Sequence, residues 1–319
     1  MSGTALHGAQ PTLTAFHHEA FLYAGAEAFL EGTVPFIEAG LGAREPVLVV
    51  VGREKIRWLR DALGAGAAGV NFADMAAVGR NPARIIPAWR DFLATHGAGR
   101  PARGIGEPVH PDRTPDELLE CQRHEALLNV AFATGTPWRL LCPYDTTSLD
   151  AGVIDAARHS HRFVTGGPST AYRGDDWTGP AGDGLPDPPA GTLPLAFGHG
   201  PLESVRQFVV DTVDGGLGAA ELSDLLVAVT EIAGNSLMHG GGAGTLRVWN
   251  SATDVICEIR DRGWIRQPLA GRARPTFDQE SGRGLWMVNQ LCDLVQVRST
   301  PAGTVVRLHM GRRAGLDRL

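Results

Sequence analysis

The sequence predicts two α/β domains, joined by a linker, in a chain of 319 residues. In the first half, short aliphatic runs alternate with helical patterns, which favours a three-layer α/β domain around a mainly parallel sheet. In the second half, helices precede paired strands, which favours a two-layer α/β sandwich. The stretch 173–194 is rich in Gly, Pro and Asp, as linkers are. We expect one domain over 1–174, a linker over 175–191 and a second domain over 192–319.

The elements of the first domain follow from the spacing of its apolar residues. Residues 46–51 (PVLVVV) and 138–142 (WRLLC) are short continuous runs, typical of strands that are buried on both faces of a parallel sheet. A further strand is expected near 70–72. Apolar residues at helical spacing predict helices over 19–30, 34–41, 54–63, 82–96, 115–133 and 148–161.

In the second domain the order of elements changes. Helices are predicted over 201–213, 219–239 and 282–292, and strands over 245–250, 255–261, 294–299 and 304–310. Residues 262–281 show no regular pattern. An irregular segment of this length inside a compact domain usually has a function, often as a lid over a site.

Composition excludes several classes of protein. The chain has 29 basic and 35 acidic residues, a formal net charge of −6, so direct binding of nucleic acid is not expected. No apolar run approaches the roughly 20 residues that cross a bilayer, and no signal peptide is evident at the N-terminus. Four widely spread cysteines are typical of reduced thiols. We therefore expect a soluble cytoplasmic protein.

The helix predicted over 219–239 carries a pair of residues suited to phosphoryl transfer. Glu231 and Asn235 lie one turn apart and so project from the same helix face. An amide oxygen can hold Mg²⁺ while a neighbouring carboxylate takes a proton from an attacking hydroxyl. Taken alone, the pair is more often a solvated polar pair on an amphipathic helix, because short matches of this kind are common.

Further residues follow in an order that suits a nucleotide. Asp261 and Gly263 end a predicted strand, and Asp261 could accept a hydrogen bond from an adenine amine or simply start a turn. Gly282 and Gly284 open a helix, where backbone N–H groups can approach phosphates. Thr304 begins the last strand, where its hydroxyl could reach the same base edge.

Together these motifs resemble the ATP-binding domains of the GHKL type, and within them the serine kinases that act as anti-sigma factors. The resemblance covers about residues 193–310 and implies the Bergerat fold, with ATP and Mg²⁺ as ligands. It implies that Asn235 holds Mg²⁺ and that Glu231 is the catalytic base. It also implies contacts to the nucleotide from these residues: Asp261 at adenine, Gly263, Gly282 and Gly284 around the nucleotide, and Thr304 near the base.

The chain departs from the family pattern in the first glycine box. That box usually reads Asp-x-Gly-x-Gly, whereas this chain has Ile265 in place of the second glycine and a bulky Trp264 before it. A sensor histidine kinase is disfavoured, because a Pro/Gly-rich linker precedes the domain instead of a dimerisation helix. His199 lies in a predicted loop.

Polar clusters in the first domain point to a sensory pocket. They are His17-His18-Glu19, Gly106-Glu107-Pro108, the run ECQRHEALLN over 120–129, and Cys142-Pro-Tyr-Asp145, after which His159 and His161 follow. The candidate pocket residues are His18, Glu107, Cys121, His124, Glu125, Cys142 and Asp145. Because α/β domains bind ligands at strand ends, we expect Cys121, His124, Cys142 and Asp145 to converge on one pocket there.

Three kinds of occupant are open for this pocket. Cys, His and carboxylate side chains could bind Zn²⁺, but the candidates are scattered and form no C-x-x-C pair, so a metal is not favoured. A small-molecule signal or a purely structural polar network remains. The motifs resemble the MEDS sensory domain over about residues 14–170, which implies a sensory role and names no ligand. Gly52-Arg-Glu-Lys55 lacks the pattern of a phosphate-binding loop.

The sequence is therefore interpreted as a bacterial regulator in which a sensory domain controls an anti-sigma-type serine/threonine kinase. The expected partners are a sigma factor and a STAS-type anti-anti-sigma protein, without direct contact to nucleic acid or membrane. The alternative is a binding module that sequesters a partner with little or no nucleotide turnover. A homodimer is left open.

Overall fold

The computed structural model describes residues 15–312 except 98, 136, 176, 178, 180–183, 214 and 276–281. Within this part, the N-terminal half forms a seven-stranded sheet and the C-terminal half a five-stranded sheet. Both predicted fold classes are confirmed. No helix among the described residues is long and apolar enough to span a membrane.

The first sheet is mainly parallel and follows the order β3-β2-β4-β5-β1-β6-β7. Only the short β6–β7 pair is antiparallel. The strands are β1 (His17–Tyr23), β2 (Val47–Val51), β3 (Asn71–Asp74), β4 (Ala102–Gly106), β5 (Trp138–Asp145), β6 (Phe163–Val164) and β7 (Gly167–Pro168). The helices are α1 (Gly25–Gly42), α2 (Arg53–Leu63), α3 (Met75–Val78), α4 (Ile85–Phe92), α5 (Pro115–Ala131) and α6 (Ala151–Ser160).

Helices cover both faces of this sheet. The alternation of side chains along β2 sends Val47, Val49 and Val51 into one apolar cluster, which includes residues of α1 and α2. The intervening Leu48 and Val50 belong to a second cluster, which includes residues of α4, α5 and α6. A strand buried on both faces explains why the run VLVVV is continuously aliphatic.

Four strands of this sheet were not predicted: β1, β4 and the short β6 and β7. Residues 19–23 were assigned to a helix but belong to β1, and α1 begins only at Gly25. Strand β4 was missed because its sequence ARGIG shows neither aliphatic continuity nor alternation. Its glycine at position 104 is required by packing, since a Cβ there would lie 2.9 Å from ring atoms of both Trp89 and Trp138.

The second sheet is antiparallel, in the order β11-β12-β10-β9-β8. Its strands are β8 (Pro194–Phe197), which was not predicted, β9 (Gly244–Asn250), β10 (Asp254–Asp261), β11 (Leu294–Thr300) and β12 (Gly303–Gly311). The helices α7 (Glu203–Thr212), α8 (Ala219–His239) and α9 (Arg283–Leu291) share one apolar cluster with one face of the sheet.

The opposite face of this sheet is polar and yet buried. Gln296 and Arg298 of β11 are covered by α5 of the first domain, where Arg298 lies 2.7 Å from Glu120 Oε1. Gln296 Nε2 donates to Asp116 Oδ1 at 3.4 Å. Arg307 of β12 donates to the carbonyl of Pro186 in the linker at 2.6 Å. The two domains therefore pack together through charged groups.

Candidate functional site

The predicted nucleotide residues lie along α8 and around the start of α9. A Cβ on Gly284, in the first turn of α9, would lie 2.8 Å from Glu231 Oε2 and 3.4 Å from Asn235 Nδ2. Both side chains of α8 therefore border the place where α9 begins. Only a glycine leaves this space open.

The start of α9 is suited to an anion. Gly282 caps the helix in the left-handed conformation, with φ 88°, and has no side chain that could occupy the terminal N–H groups. The first N–H groups of a helix lack partners within it and carry a partial positive charge. A phosphate group beside Glu231 and Asn235 would meet these donors.

Asp261, the last residue of β10, lies beside Ser236 and Gly240 at the C-terminal end of α8, in a network of its own. Its Oδ2 accepts from Ser236 Oγ at 2.6 Å, and its Oδ1 accepts from the N–H of Gly263 at 2.7 Å. Gly240 permits this approach, since a Cβ there would lie 2.5 Å from Asp261 Cγ. Thr304 Oγ1 donates to the carbonyl of Gly263 at 2.8 Å. The carboxylate is thus oriented and retains lone pairs for one further donor.

The structure groups the seven predicted nucleotide residues into two neighbouring sets. Glu231, Asn235, Gly282 and Gly284 form the set at the α9 start, and Asp261, Gly263 and Thr304 form the other. Ser236, which follows Asn235 on α8, was not predicted. Its hydroxyl orients Asp261, a role that only the strand–helix contact shows.

The described part of the predicted lid packs against the first domain. Arg272 is buried and lies 3.6 Å from Glu120 Oε2 of α5, while Asn289 Nδ2 donates to the carbonyl of Gly271 at 3.0 Å. Burial lowers the pKa of Arg272 to about 10. Ile265 donates its N–H to Ser299 Oγ, and Trp264 is 47% exposed. Residues 276–281 of this segment lie outside the described residues.

In the first domain, four buried side chains form a compact cluster that we call the HECH cluster: His18, Glu125, Cys142 and His161. One donor atom of each lies within 4.8 Å of the others. These groups could hold a metal ion. His18 of β1 and Cys142 of β5 share one sheet face, Glu125 comes from α5, and His161 follows α6.

Helix α5 is fixed at its start by a reciprocal capping box. The Thr114 hydroxyl accepts from the N–H of Glu117, and the Glu117 carboxylate accepts from the N–H of Thr114. This cap fixes where the helix begins, and Glu125 on its buried face reaches the sheet. Glu125 Oε2 then lies 3.0 Å from His18 Nε2 and 3.3 Å from His161 Nε2.

Burial controls ionisation in the HECH cluster. Burial, together with the neighbouring His161, lowers the pKa of His18 to about 4. Burial raises the pKa of the Cys142 thiol well above its usual value. Burial alone would raise the pKa of Glu125, but the adjacent imidazoles of His161 and His18 hold it well below its usual range.

The other predicted pocket residues lie elsewhere. Cys121 is in the same apolar core as Cys142, but its thiol donates to the carbonyl of Pro108 at 3.2 Å. Burial raises the pKa of Cys121 to about 12 and lowers that of His124 to about 3. Asp145, at the end of β5, accepts from Thr147 at the surface. Cys142 lies within its strand and Asp145 at the strand end, and a single pocket shared by Cys121, His124, Cys142 and Asp145 stays a prediction.

A separate group occupies the strand ends. Glu107, just after β4, accepts from the hydroxyl of Tyr23 at 2.9 Å and from Lys55 Nζ at 2.5 Å. Burial raises the pKa of Glu107 despite its Lys55 partner. Neither Tyr23 nor Lys55 was predicted, and neither was His161 of the HECH cluster. Each is a single polar residue whose partner lies far away in sequence, so no local spacing identified it.

The comparisons with known proteins agree with this division. Residues 17–162 match the MEDS family, described as the methanogen/methylotroph, DcmR sensory domain. Residues 200–310 match the histidine kinase-like ATPase domain family. Residues 17–162 are thus a MEDS sensory domain, and residues 200–310 a histidine kinase-like ATPase domain. The chain is therefore a sensory domain fused to a kinase-like, ATP-binding domain.

Among solved structures, one match is a crystal structure of the RsbU and RsbW domains of a Mycobacterium tuberculosis protein. The identity is 18%, the match covers 40% of this chain and 35% of that chain, and the TM-score is 0.29. This chain thus matches about a third of that protein's length. A comparison with curated proteins gave no match.

Proposed function

We propose that this protein is a cytoplasmic bacterial regulator, an anti-sigma factor with ATP-dependent serine/threonine kinase activity towards a STAS-type anti-anti-sigma partner. The sensory domain controls that activity. The observation that carries the proposal is the meeting of Glu231 and Asn235 with the glycine-opened start of α9. This arrangement suits ATP with Mg²⁺, because it places an acid–base group and an amide ligand beside a helix terminus that favours phosphate.

ATP supplies the γ-phosphoryl group in this proposal, and Mg²⁺ neutralises charge on the phosphates. Asn235 would hold the metal. Glu231 would accept the proton of the partner's Ser or Thr hydroxyl as the new O–P bond forms and the bond to the β-phosphate breaks, leaving ADP. The N–H groups at the start of α9 would stabilise the charge on the phosphates.

At the other end of the nucleotide, Asp261 would bind the adenine base. Because Ser236 and the N–H of Gly263 already orient its carboxylate, Asp261 can accept a hydrogen bond from the exocyclic amine without rearrangement. Thr304, held by the carbonyl of Gly263, would lie near the base. A purine fits this pattern of acceptors.

Contacts at the C-terminal end of α9 support control of the kinase activity by the sensory domain. Arg84 of the first domain donates to the carbonyls of Asn289 at 2.8 Å and of Cys292 at 3.1 Å, which close the helix C-terminus. Asn81 Nδ2 donates to Asn289 Oδ1 at 3.1 Å. The helix that begins at the phosphate end of the site thus ends on the sensory domain, so a shift of that domain would move the site.

The missing second glycine of the first glycine box supports a second candidate function, binding of a partner without phosphotransfer. With Ile265 instead of glycine, and with its N–H held by Ser299, the lid start has less freedom to close over a nucleotide. This favours a module that sequesters a sigma factor or another partner with little turnover. The same α8 surface would serve in both cases.

Phosphotransfer from γ-labelled ATP to candidate STAS-domain partners distinguishes the two functions. Glu231→Gln should keep nucleotide binding and lower transfer by about 10²–10⁴-fold, the range for a positioned base. Asn235→Ala should lower both binding and transfer. Glu203→Gln, on the exposed face of α7, is the matched control and should behave as wild type. Equal transfer by Glu231→Gln and wild type would refute the role of Glu231, and no transfer by wild type would favour the binding module.

A further inference from the structure

The tautomers of both histidines in the HECH cluster are fixed by their neighbours. Asn129 Nδ2 donates to the carbonyl of Ser160 at 2.7 Å, so its Oδ1 must be the atom that faces His18 Nδ1 at 3.1 Å. An amide oxygen only accepts, and His18 Nδ1 therefore carries hydrogen. His161 Nδ1 lies 2.8 Å from the carbonyl of Ala157, which also only accepts, so that nitrogen carries hydrogen as well.

When the two rings are neutral, neither Nε2 atom carries a hydrogen, and the lone pair of each points into the cluster. They face Glu125 Oε2, itself an acceptor, at 3.0 Å and 3.3 Å. His161 Nε2 has no hydrogen-bond partner among the described residues, and neither has Glu125 Oε1. The Cys142 thiol can give its one hydrogen to this group, but His161 Nε2 and Glu125 Oε1 are left without a donor among the described residues. Unpaired acceptors are unfavourable in a buried place, and a cation would satisfy them.

Cys142 completes the set. Its Sγ lies 3.4 Å from His18 Nε2, and all four side chains are buried. A tetrahedral site with metal–ligand bonds of about 2.0–2.3 Å has ligand atoms about 3.3–3.7 Å apart. The observed separations are close to these, so small side-chain rotations would open the centre for an ion.

We propose that the HECH cluster is a closed, four-coordinate binding site for a divalent transition-metal ion, with Zn²⁺ as the reference ion and with His18, Glu125, Cys142 and His161 as ligands. Two imidazoles, a thiolate and a carboxylate suit such an ion, whereas Ca²⁺ and Mg²⁺ prefer sets of oxygen ligands. Binding converts the Cys142 thiol to a thiolate and releases its proton to solvent.

The groups that hold the two imidazoles have the form expected around metal-binding histidines. Such rings donate their other N–H to a carbonyl or carboxylate oxygen, which fixes the ring and bares the ligating nitrogen. Here the Asn129 amide and the Ala157 carbonyl perform that role. The site would tie β1, β5, α5 and the end of α6 together. Since all four positions come from protein, it is suited to structure or sensing and not to catalysis on a bound substrate.

The test uses the full chain, stripped with a chelator and reloaded with Zn²⁺ or Co²⁺. We expect about one metal ion per chain by plasma mass spectrometry. The Co²⁺ form should show the absorption of a tetrahedral site and a sulfur-to-cobalt charge-transfer band. Cys142→Ser should lose that band, whereas Cys121→Ser, a buried thiol outside the cluster, should keep it.

Asn129→Ala tests the tautomer argument, because loss of the group that holds a metal-binding histidine typically weakens metal affinity about 10- to 100-fold. Its fold can be checked by circular dichroism. A wild-type chain that retains no metal after loading would overturn the proposal whatever the variants do. So would a Co²⁺ spectrum that is unchanged in Cys142→Ser. These outcomes would leave the cluster as a polar network or an organic-ligand site.

Discussion

The contact between Glu120 and two arginines gives a quantitative test of domain packing. Glu120 is 1% exposed, and Arg298 and Arg272 lie 2.7 Å and 3.6 Å from its carboxylate oxygens. At an effective dielectric constant of about 20, these separations correspond to gross attractions of about 6 and about 5 kcal/mol. Desolvation offsets most of this. Glu120→Gln nevertheless leaves two buried arginines without their counter-charge, which costs about 3–5 kcal/mol.

The assay is thermal unfolding of the full chain. A loss of about 3 kcal/mol corresponds to a fall in Tm of about 6–12 °C for a domain of this size. The control Asp155→Asn removes an exposed ion pair on α6, which is worth at most about 1 kcal/mol. A double-mutant cycle with Arg298→Met isolates the pair, with an expected coupling energy of about 1–3 kcal/mol. The packing argument fails if Glu120→Gln unfolds at the temperature of the control, or if the two substitutions are additive.

Two further predictions concern packing in the cores. Gly104→Ala should destabilise the first domain by about 1–3 kcal/mol in chemical denaturation, because its Cβ would overlap Trp89 and Trp138. The control is Gly152→Ala in α6, where a Cβ meets nothing within 4 Å; it should stabilise the chain by about 0.4–1 kcal/mol. If the two substitutions changed the free energy of unfolding equally, the packing described around Gly104 would be wrong. All four cysteines are buried, and burial raises the pKa of Cys292 to about 12. The folded chain should therefore resist a thiol reagent that labels the unfolded chain fully, and a thiol that reacts at once in the folded state would disprove this.

The sequence predicted what depends on neighbours in the chain. The aliphatic run of β2 identified a strand buried on both faces, and the helical spacing from Glu231 to Asn235 identified a shared helix face. Helix α8 was predicted with its observed bounds. In each of these cases the information lies within one turn or one strand.

What the sequence did not predict depends on contacts between distant segments. Strand β4 looks irregular because its glycines make room for tryptophans from another helix and strand. Residues 19–23 of β1 were assigned to a helix because Phe21 and Leu22 continue the apolar spacing of α1, whereas the strand forms by pairing with the distant β5. His161 was passed over for the same reason, since its partners come from other elements. The pairing of Glu120 with Arg298 has no local signature at all.

The most direct test of the central claim is ATP binding at the predicted nucleotide residues of α8, β10 and the start of α9, measured by equilibrium dialysis with labelled ATP and Mg²⁺. Wild type should bind ATP. Asp261→Asn should bind it about 10- to 100-fold more weakly, as expected for a lost hydrogen bond to a charged group of about 1.5–3 kcal/mol. Asp254→Asn, at the opposite end of β10, should bind as wild type does. Undetectable binding by wild type, or equal binding by the Asp261 and Asp254 variants, would contradict the assignment of these residues as the nucleotide site.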